Sequence, residues 1–217
     1  LSLAIFDLDN TLIAGDSDHS WGEFLVEKSL VDGENFKKAN DQFYEDYRRG
    51  ELNIYEYQAF ALGPLTHHSM DELAALQEEF MQEKIQPLLL DKAAALINEH
   101  KDKQHQLLII TATNRFVAAP IAEKLGIPHL LATDPEIIDN RYTGNIVGTP
   151  CFQEGKVTRL NAWLEDKKLD LQHSYFYSDS HNDLPLLNKV GHPVAVDPDD
   201  KLRKEAQSNG WKILSLR

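Results

Sequence analysis

Leu3-Ala4-Ile5-Phe6-Asp7-Leu8-Asp9-Asn10-Thr11 places four apolar residues directly before two aspartates spaced two apart. The unbroken apolar run predicts a strand buried on both faces of a parallel sheet. In extended chain, residues i and i+2 point to the same side, so Asp7 and Asp9 can converge on one small volume. Facing carboxylates repel, and the arrangement is costly unless a cation or a proton occupies the site. Ligands of α/β sheets gather outside the carboxyl ends of the strands. Together these features point to a Mg2+-dependent phosphoryl-transfer site at the tip of the first strand. The plain alternative for the pentapeptide alone is a polar strand-to-loop transition with Asn10 or Thr11 as turn or cap residues. A calcium loop fails the pattern, because the positions that need Gly and Glu hold Leu12 and Asp18.

The chain has 217 residues, 42% of them apolar, enough for one core and a smaller second unit. A formal net charge of −13 argues against a nucleic-acid or anionic-membrane surface and favours substrates with a cationic part. The single cysteine, Cys151, permits no internal disulfide and fits a reducing, cytoplasmic setting. Between Pro150 and Phe152 it reads as a packed thiol. No apolar run approaches the ~18 residues of a membrane span. No signal peptide is expected ahead of the first strand.

Residues 16–85 are rich in Glu, Lys, Phe and Tyr and read as helical. Trp21, Phe24, Leu25 and Leu30 form one stripe; Phe36, Phe43, Tyr44 and Tyr47 form another, ending at Gly50. Ser69 to Glu72 has the spacing of a capping box opening a helix with Leu73, Leu76, Phe80 and Met81 on one face. The aromatic stripes read as core. From Pro87 helix and strand alternate: a helix over Leu88–His100, a strand over Gln106–Ile110 ending at Thr111, a helix over Phe116–Leu125, and a short strand at Leu130 and Leu131. A hairpin with an Asp139-Asn140 turn follows, then a helix from Val157 just after Gly155-Lys156, and a strand over Ser174–Tyr177. Strands at Val194–Val196 and Ile213–Leu216 close the series. This order predicts an α/β fold with a doubly wound, mainly parallel sheet. The economical division is a core of residues 1–15 and 86–217 carrying a helical insert of residues 16–85.

Polar residues then fall at strand ends in order: Asp7 and Asp9, Thr111, Lys156, Asp179 and Asp183. Singly, each has a plain alternative. Thr111 reads equally as a helix N-cap, Lys156 as a solvated lysine, and Asp179 and Asp183 as caps of the helix near Leu184.

With these four motifs the chain resembles the haloacid dehalogenase superfamily of phosphohydrolases, in its subfamily IB, phosphoserine-phosphatase-like branch. The motifs are Asp7-Leu8-Asp9-Asn10-Thr11, Thr111, Lys156 and Asp179-Ser180-His181-Asn182-Asp183. The resemblance spans essentially the whole chain and implies a Rossmann-like core whose cap domain is residues 16–85. It implies Asp7 as a nucleophile forming an aspartyl-phosphate and Asp9 as the general acid and base. Mg2+ would be held by Asp7, the Asp9 carbonyl and Asp179, with Asp183 in support. Thr111, Lys156 and Asn182 would bind the phosphoryl group. His181 reads as structural more readily than as a substrate contact.

One departure bears on substrate. Phosphoserine phosphatases follow the second-motif Ser with two glycines, whereas Thr111 is followed by Ala112-Thr113-Asn114. Asp16 through Trp21, with Tyr47-Arg48-Arg49-Gly50, is more similar to bacterial histidinol-phosphate phosphatase relatives. The expected partner is therefore a small phosphate monoester, with Asp16, Arg48, Arg49, Asn114 and Arg115 as candidate leaving-group contacts. Phosphoserine hydrolysis and phosphoryl transfer to an alcohol are the alternatives. A receiver domain has no need of a large helical cap, and a non-catalytic binding module would lack Asp7 or Asp9.

Overall fold

The computed structural model describes residues 2–167 and 169–217; Leu1 and Lys168, inside the expected core segments, lie outside the described residues. The chain enters through β1 (Leu3–Phe6) and then makes four helices: α1 (Ser17–Glu27), α2 (Gly33–Arg49), α3 (Ile54–Leu62) and α4 (Met70–Phe80). Next come α5 (Asp91–Asp102), β2 (Gln106–Asn114), α6 (Arg115–Lys124), β3 (His129–Ile138) and β4 (Arg141–Val147). The chain finishes with α7 (Glu154–Leu164), β5 (Tyr175–Ser178), α8 (Leu184–Leu187), β6 (His192–Val196), α9 (Asp200–Asn209) and β7 (Lys212–Leu214). The strands make one seven-stranded sheet in the order β4-β3-β2-β1-β5-β6-β7, parallel except at the β3-β4 hairpin.

β1 lies between β2 and β5, and the winding reverses beside it: the chain first moves outward through β2 and β3, then returns to β5 and moves the other way. The carboxyl end of β1 is thus the switch point where such sheets open a binding crevice. Strand alternation divides the core in two. Ala4, Phe6, Leu107, Ile109 and Tyr177 face Ala93 and Ile97 of α5 and Val117 and Ile121 of α6. Leu3, Ile5, Leu108, Ile110 and Phe176 face Leu160 of α7, Leu186 and Leu187 of α8, and Leu202 of α9. Full burial of Leu3, Ile5 and Phe6 contributes roughly 1.5–3 kcal/mol per side chain.

Local signals hold at several points. Ser69 and Glu72 make both bonds of the capping box. Gly50 ends α2 in the left-handed region at φ 80°. Asp139 and Asn140 have φ of 49° and 58°, as a two-residue type I′ hairpin turn requires. The first aromatic stripe is core, Trp21 meeting Phe80 edge-on at 5.1 Å and Phe116 at 5.2 Å; of the second, Phe36 packs on the core, whereas Phe43, Tyr44 and Tyr47 are only half-buried and lie outside it.

Several boundaries differ from expectation. α5 starts at Asp91 rather than Leu88, because Pro87 sits in a separate 3-10 turn and Leu89 is extended. β2 continues to Asn114 through pairing with Thr133 of β3, which itself runs ten residues into the hairpin. α7 begins at Glu154, which puts Gly155 and Lys156 in its first turn. Leu30 lies beyond α1 yet still packs on the core.

Candidate active site

Asp7 directly follows β1, and its amide donates to Tyr177 O at 2.9 Å, so pairing with β5 fixes the strand tip. The residue is 3% exposed. Oδ1 accepts from Lys156 Nζ at 2.8 Å, whereas the buried Oδ2 has no hydrogen-bond partner. Lys156, 2% exposed, also reaches Asp183, at 2.7 Å to Oδ1 and 2.9 Å to Oδ2. Ser178 Oγ donates to Asp183 Oδ2 at 2.7 Å. Gly155 allows this placement. A Cβ there would come within 2.0 Å of the Pro150 carbonyl oxygen, so only glycine lets the first turn of α7 approach so closely.

Asp9 ties the tip to two other elements. Its Oδ1 accepts from Ser17 N at 2.6 Å; its Oδ2 accepts from Thr113 Oγ1 at 2.7 Å and lies 3.5 Å from Thr111 Oγ1. Thr11, wholly buried, donates to Asp179 Oδ1 at 3.1 Å and accepts from Asp179 N at 3.1 Å. Asp7, Asp9, Thr111, Lys156, Asp179 and Asp183 are thus linked at the carboxyl ends of β1, β2 and β5. The single-residue alternatives do not hold: Lys156 is buried, Asn114 rather than Thr111 caps α6, and Asp183 makes no cap hydrogen bond.

Burial pushes the Asp7 carboxyl up to about 7; Lys156 pulls it down, while the Asp183 and Asp9 charges push it up. Burial likewise raises Asp9 to about 6, reinforced by Asp16 and opposed by hydrogen bonds from Ser17 and Thr113. Asp16, Asp18 and Asp179 are raised as well, burial being the largest cause in each. Burial disfavours the Lys156 charge, but Asp183 and Asp7 outweigh it and raise that pKa. One lysine faces more carboxylate than it can neutralise. Among the described residues, no three His, Cys, Asp or Glu side chains group as a metal centre by themselves.

A cavity opens from the strand tip toward the inserted helices, lined by Asp7, Asp9, Thr111 and Thr113 at one end and by Asp16, Asp18, Phe43, Tyr44, Tyr47 and Tyr57 beyond. Asp16 caps α1, accepting from His19 N at 2.8 Å. The other expected leaving-group contacts are not brought into it. Arg48 is drawn to Glu45 at 3.1 Å and Arg49 to Glu51 at 2.9 Å, on a separate surface groove beside Asp179 and His181. Both sit at the solvent-facing end of α2, where neighbouring acids hold them. Arg115 is held by Asp134 at 2.5 Å, and Asn114 is buried as the cap of α6. Both ends of the Asn182 amide are engaged, donating to Tyr47 O at 2.9 Å and accepting from Gln153 Nε2 at 3.0 Å. His181 is structural, with Nδ1 2.7 Å from Asp199 Oδ2. Thr113, Asp18 and Tyr57 line the cavity without having been singled out from sequence. For Thr113 the signal existed: it lies two residues beyond Thr111, on the same side of a strand carried that far.

The model of the haloacid dehalogenase-like hydrolases matches residues 4–188. The chain belongs to that family. A histidinol-phosphatase of Neisseria meningitidis is 46% identical over 220 residues, covering 100% of this chain and 99% of that one. A phosphoserine phosphatase of Mycobacterium tuberculosis is 34% identical over 217 residues, covering 99% of this chain and 70% of its own length. Among solved structures, a protein of unknown function from Bordetella pertussis superposes with a TM-score of 0.93 at 47% identity, covering 100% and 99% of the two chains. A substrate-bound phosphoserine phosphatase shares the fold, with a TM-score of 0.73 at 16% identity over 100% of this chain and 93% of its own. This hydrolase is a phosphatase of the haloacid dehalogenase-like family, acting on phosphate monoesters. Among the described residues, no helix is long and apolar enough to cross a membrane.

Proposed function

We propose that this phosphatase hydrolyses histidinol phosphate through an aspartyl-phosphate on Asp7, with residues 16–85 acting as a cap over the core. The carrying observation is the buried, unpartnered Asp7 Oδ2 at the end of a cavity that contains Asp16 and Asp18 and no lysine or arginine among its lining residues. Lys156 holds Oδ1 and leaves Oδ2 free as the attacking oxygen. Asp9, raised to about 6, is suited to give a proton to the leaving alkoxide and then to take one from water near neutral pH. Thr111 and Lys156 stand where phosphoryl oxygens need donors and positive charge.

The excess of carboxylate over the one buried lysine fits a divalent cation. Asp7, the Asp9 carbonyl and Asp179 would hold Mg2+, with Asp183 in support; an ion that keeps several waters needs few protein ligands. When bound, it supplies charge compensation for the transferring phosphoryl group.

The leaving-group end favours an amine and disfavours a carboxylate. Asp16 is available for an ammonium, whereas Arg48, Arg49 and Arg115 are all held by acids outside the cavity. Phosphoserine would bring a carboxylate with no cation to meet it; histidinol phosphate has none. The name of the Neisseria relative agrees. The sealed, reduced Cys151 and the acidic surface support a cytoplasmic enzyme acting on a small molecule, with no role for nucleic acid or membrane. The test is a ranking of phosphate monoesters by kcat/KM with Mg2+. Histidinol phosphate should exceed phosphoserine, and Asp16→Asn should narrow the gap. A reversed ranking would overturn the assignment.

A further inference from the structure

Asp18 is not needed for the chemistry at Asp7, yet it lines the same cavity and is 7% exposed. Its hydrogen-bond partner is a neutral donor: Asn114 Nδ2 donates to Oδ1 at 2.9 Å. Asn114 cannot swing away, because its own Oδ1 caps α6 by accepting from Val117 N at 3.2 Å. Asp18, in the first turn of α1, is therefore tied to the residue that caps α6.

A carboxylate this buried, with no cation among its hydrogen-bond partners, is costly to keep in the empty protein. Burial, then the Asp16 and Asp9 charges, raise its pKa well above the usual carboxylate range. Among the described residues, the only lining side chain able to carry positive charge is His19, and its Nε2 is engaged by Asp41 at 2.8 Å. The cavity that Asp18 lines also has aromatic walls, Phe43, Tyr44 and Tyr57 among them. Aromatic faces also attract cations.

Resting on the histidinol-phosphate reading, we propose that Asp18 forms a second cation subsite, which takes a protonated aromatic ring of the leaving group while Asp16 takes its amine. The substrate class is then a phosphate monoester whose alcohol carries two separate cationic groups, one of them a planar N–H donor such as imidazolium. Asn114 acts as the positioning residue that fixes the Asp18 carboxylate before the ligand arrives.

The test compares four substrates with Mg2+: histidinol phosphate, its analogue with phenyl in place of imidazole, ethanolamine phosphate with the amine alone, and p-nitrophenyl phosphate. Wild type should prefer the imidazole ester over the phenyl ester by about 10- to 100-fold in kcat/KM, the range expected for one buried charge-assisted hydrogen bond. Asp18→Asn should collapse that preference, mainly through KM. It should cost ethanolamine phosphate and p-nitrophenyl phosphate far less than the imidazole ester, and their remaining turnover shows that the variant folds. Equal losses on all four substrates would make Asp18 a structural residue and overturn the proposal. An undiminished imidazole preference in the variant, or no such preference in wild type, would overturn it too. Failure of the histidinol-phosphate reading looks different: phosphoserine, added to this panel as a fifth substrate, then outranks both ring-bearing esters while wild type still turns over p-nitrophenyl phosphate.

Discussion

Replacing Asp7 by Asn should abolish turnover and, in chelator, make the protein more stable. The carboxyl is 3% exposed, and burial lifts it from 3.8 to about 7. A raised carboxyl leaves stability intact below its unfolded pKa of 3.8 and removes it as pH rises through about 7. By pH 8 that loss has a ceiling of roughly 4 kcal/mol. Asparagine removes the penalty but weakens the contact with Lys156, which keeps Asp183 at 2.7 Å. A net gain of about 1–3 kcal/mol is expected, or several degrees in Tm for a chain of this size. The assay is urea unfolding of both proteins in EDTA from pH 5 to 8.5. Wild type should lose stability toward alkaline pH more steeply than Asp7→Asn, so the gap widens as pH rises. Added Mg2+ should stabilise wild type more than the variant and close the gap. A variant less stable than wild type by 1 kcal/mol or more at pH 8 in EDTA would refute the reading of Asp7 as a strained, cation-requiring carboxylate.

Asp9→Asn should impair alkyl phosphates far more than aryl phosphates, whose leaving groups need little protonation; equal losses would remove Asp9 as the acid. Chelation should abolish activity and Mg2+ restore it, with Ca2+ a poor substitute because its looser coordination tolerates misaligned groups; full activity after exhaustive chelation would reject the metal. Burial depresses His100 to about 4, so its contribution to stability is present above pH 6.5 and lost as pH falls toward 4, by up to about 3 kcal/mol. His100→Gln should flatten that acid limb in urea melts, and an unchanged slope would assign the limb to other groups. Cys151, wholly buried with its thiol pushed up to about 12, should resist thiol reagents in the folded protein; rapid labelling without unfolding would contradict its packing.

The sheet and the reactive tip could be read from sequence because both rest on short-range patterns. Apolar runs mark buried strands, and acids placed just after them mark the open end. Lys156 could be placed only through the ordered series of motifs, since nothing local distinguishes a buried lysine from a solvated one. What failed was reach. Arg48, Arg49 and Arg115 look like anion ligands in sequence, but each is held by an acid that only the fold brings near or that helix spacing supplies. Asp18 was passed over for the opposite reason: its partner, Asn114, lies 96 residues away on another element. Strand ends were read short wherever the sequence turned polar, which hid Thr113, because pairing with β3 rather than apolarity carries β2 onward.

The central position of β1 governs how the chain acquires activity during synthesis. Its pairing partners lie about a hundred and a hundred and seventy residues downstream: Phe6 meets Ile109 on one side and Tyr177 on the other. The contacts that complete the site span 149 residues for Lys156 to Asp7 and 168 for Thr11 to Asp179. At ~5–20 residues per second, a ribosome leaves Leu3–Phe6 without its β5 neighbour for roughly ten to forty seconds. Such non-local pairing makes for slow folding and an early stretch prone to aggregation. A nascent chain that stops before Asp179 carries Asp7 but not the frame that holds it, so incomplete products should lack phosphatase activity.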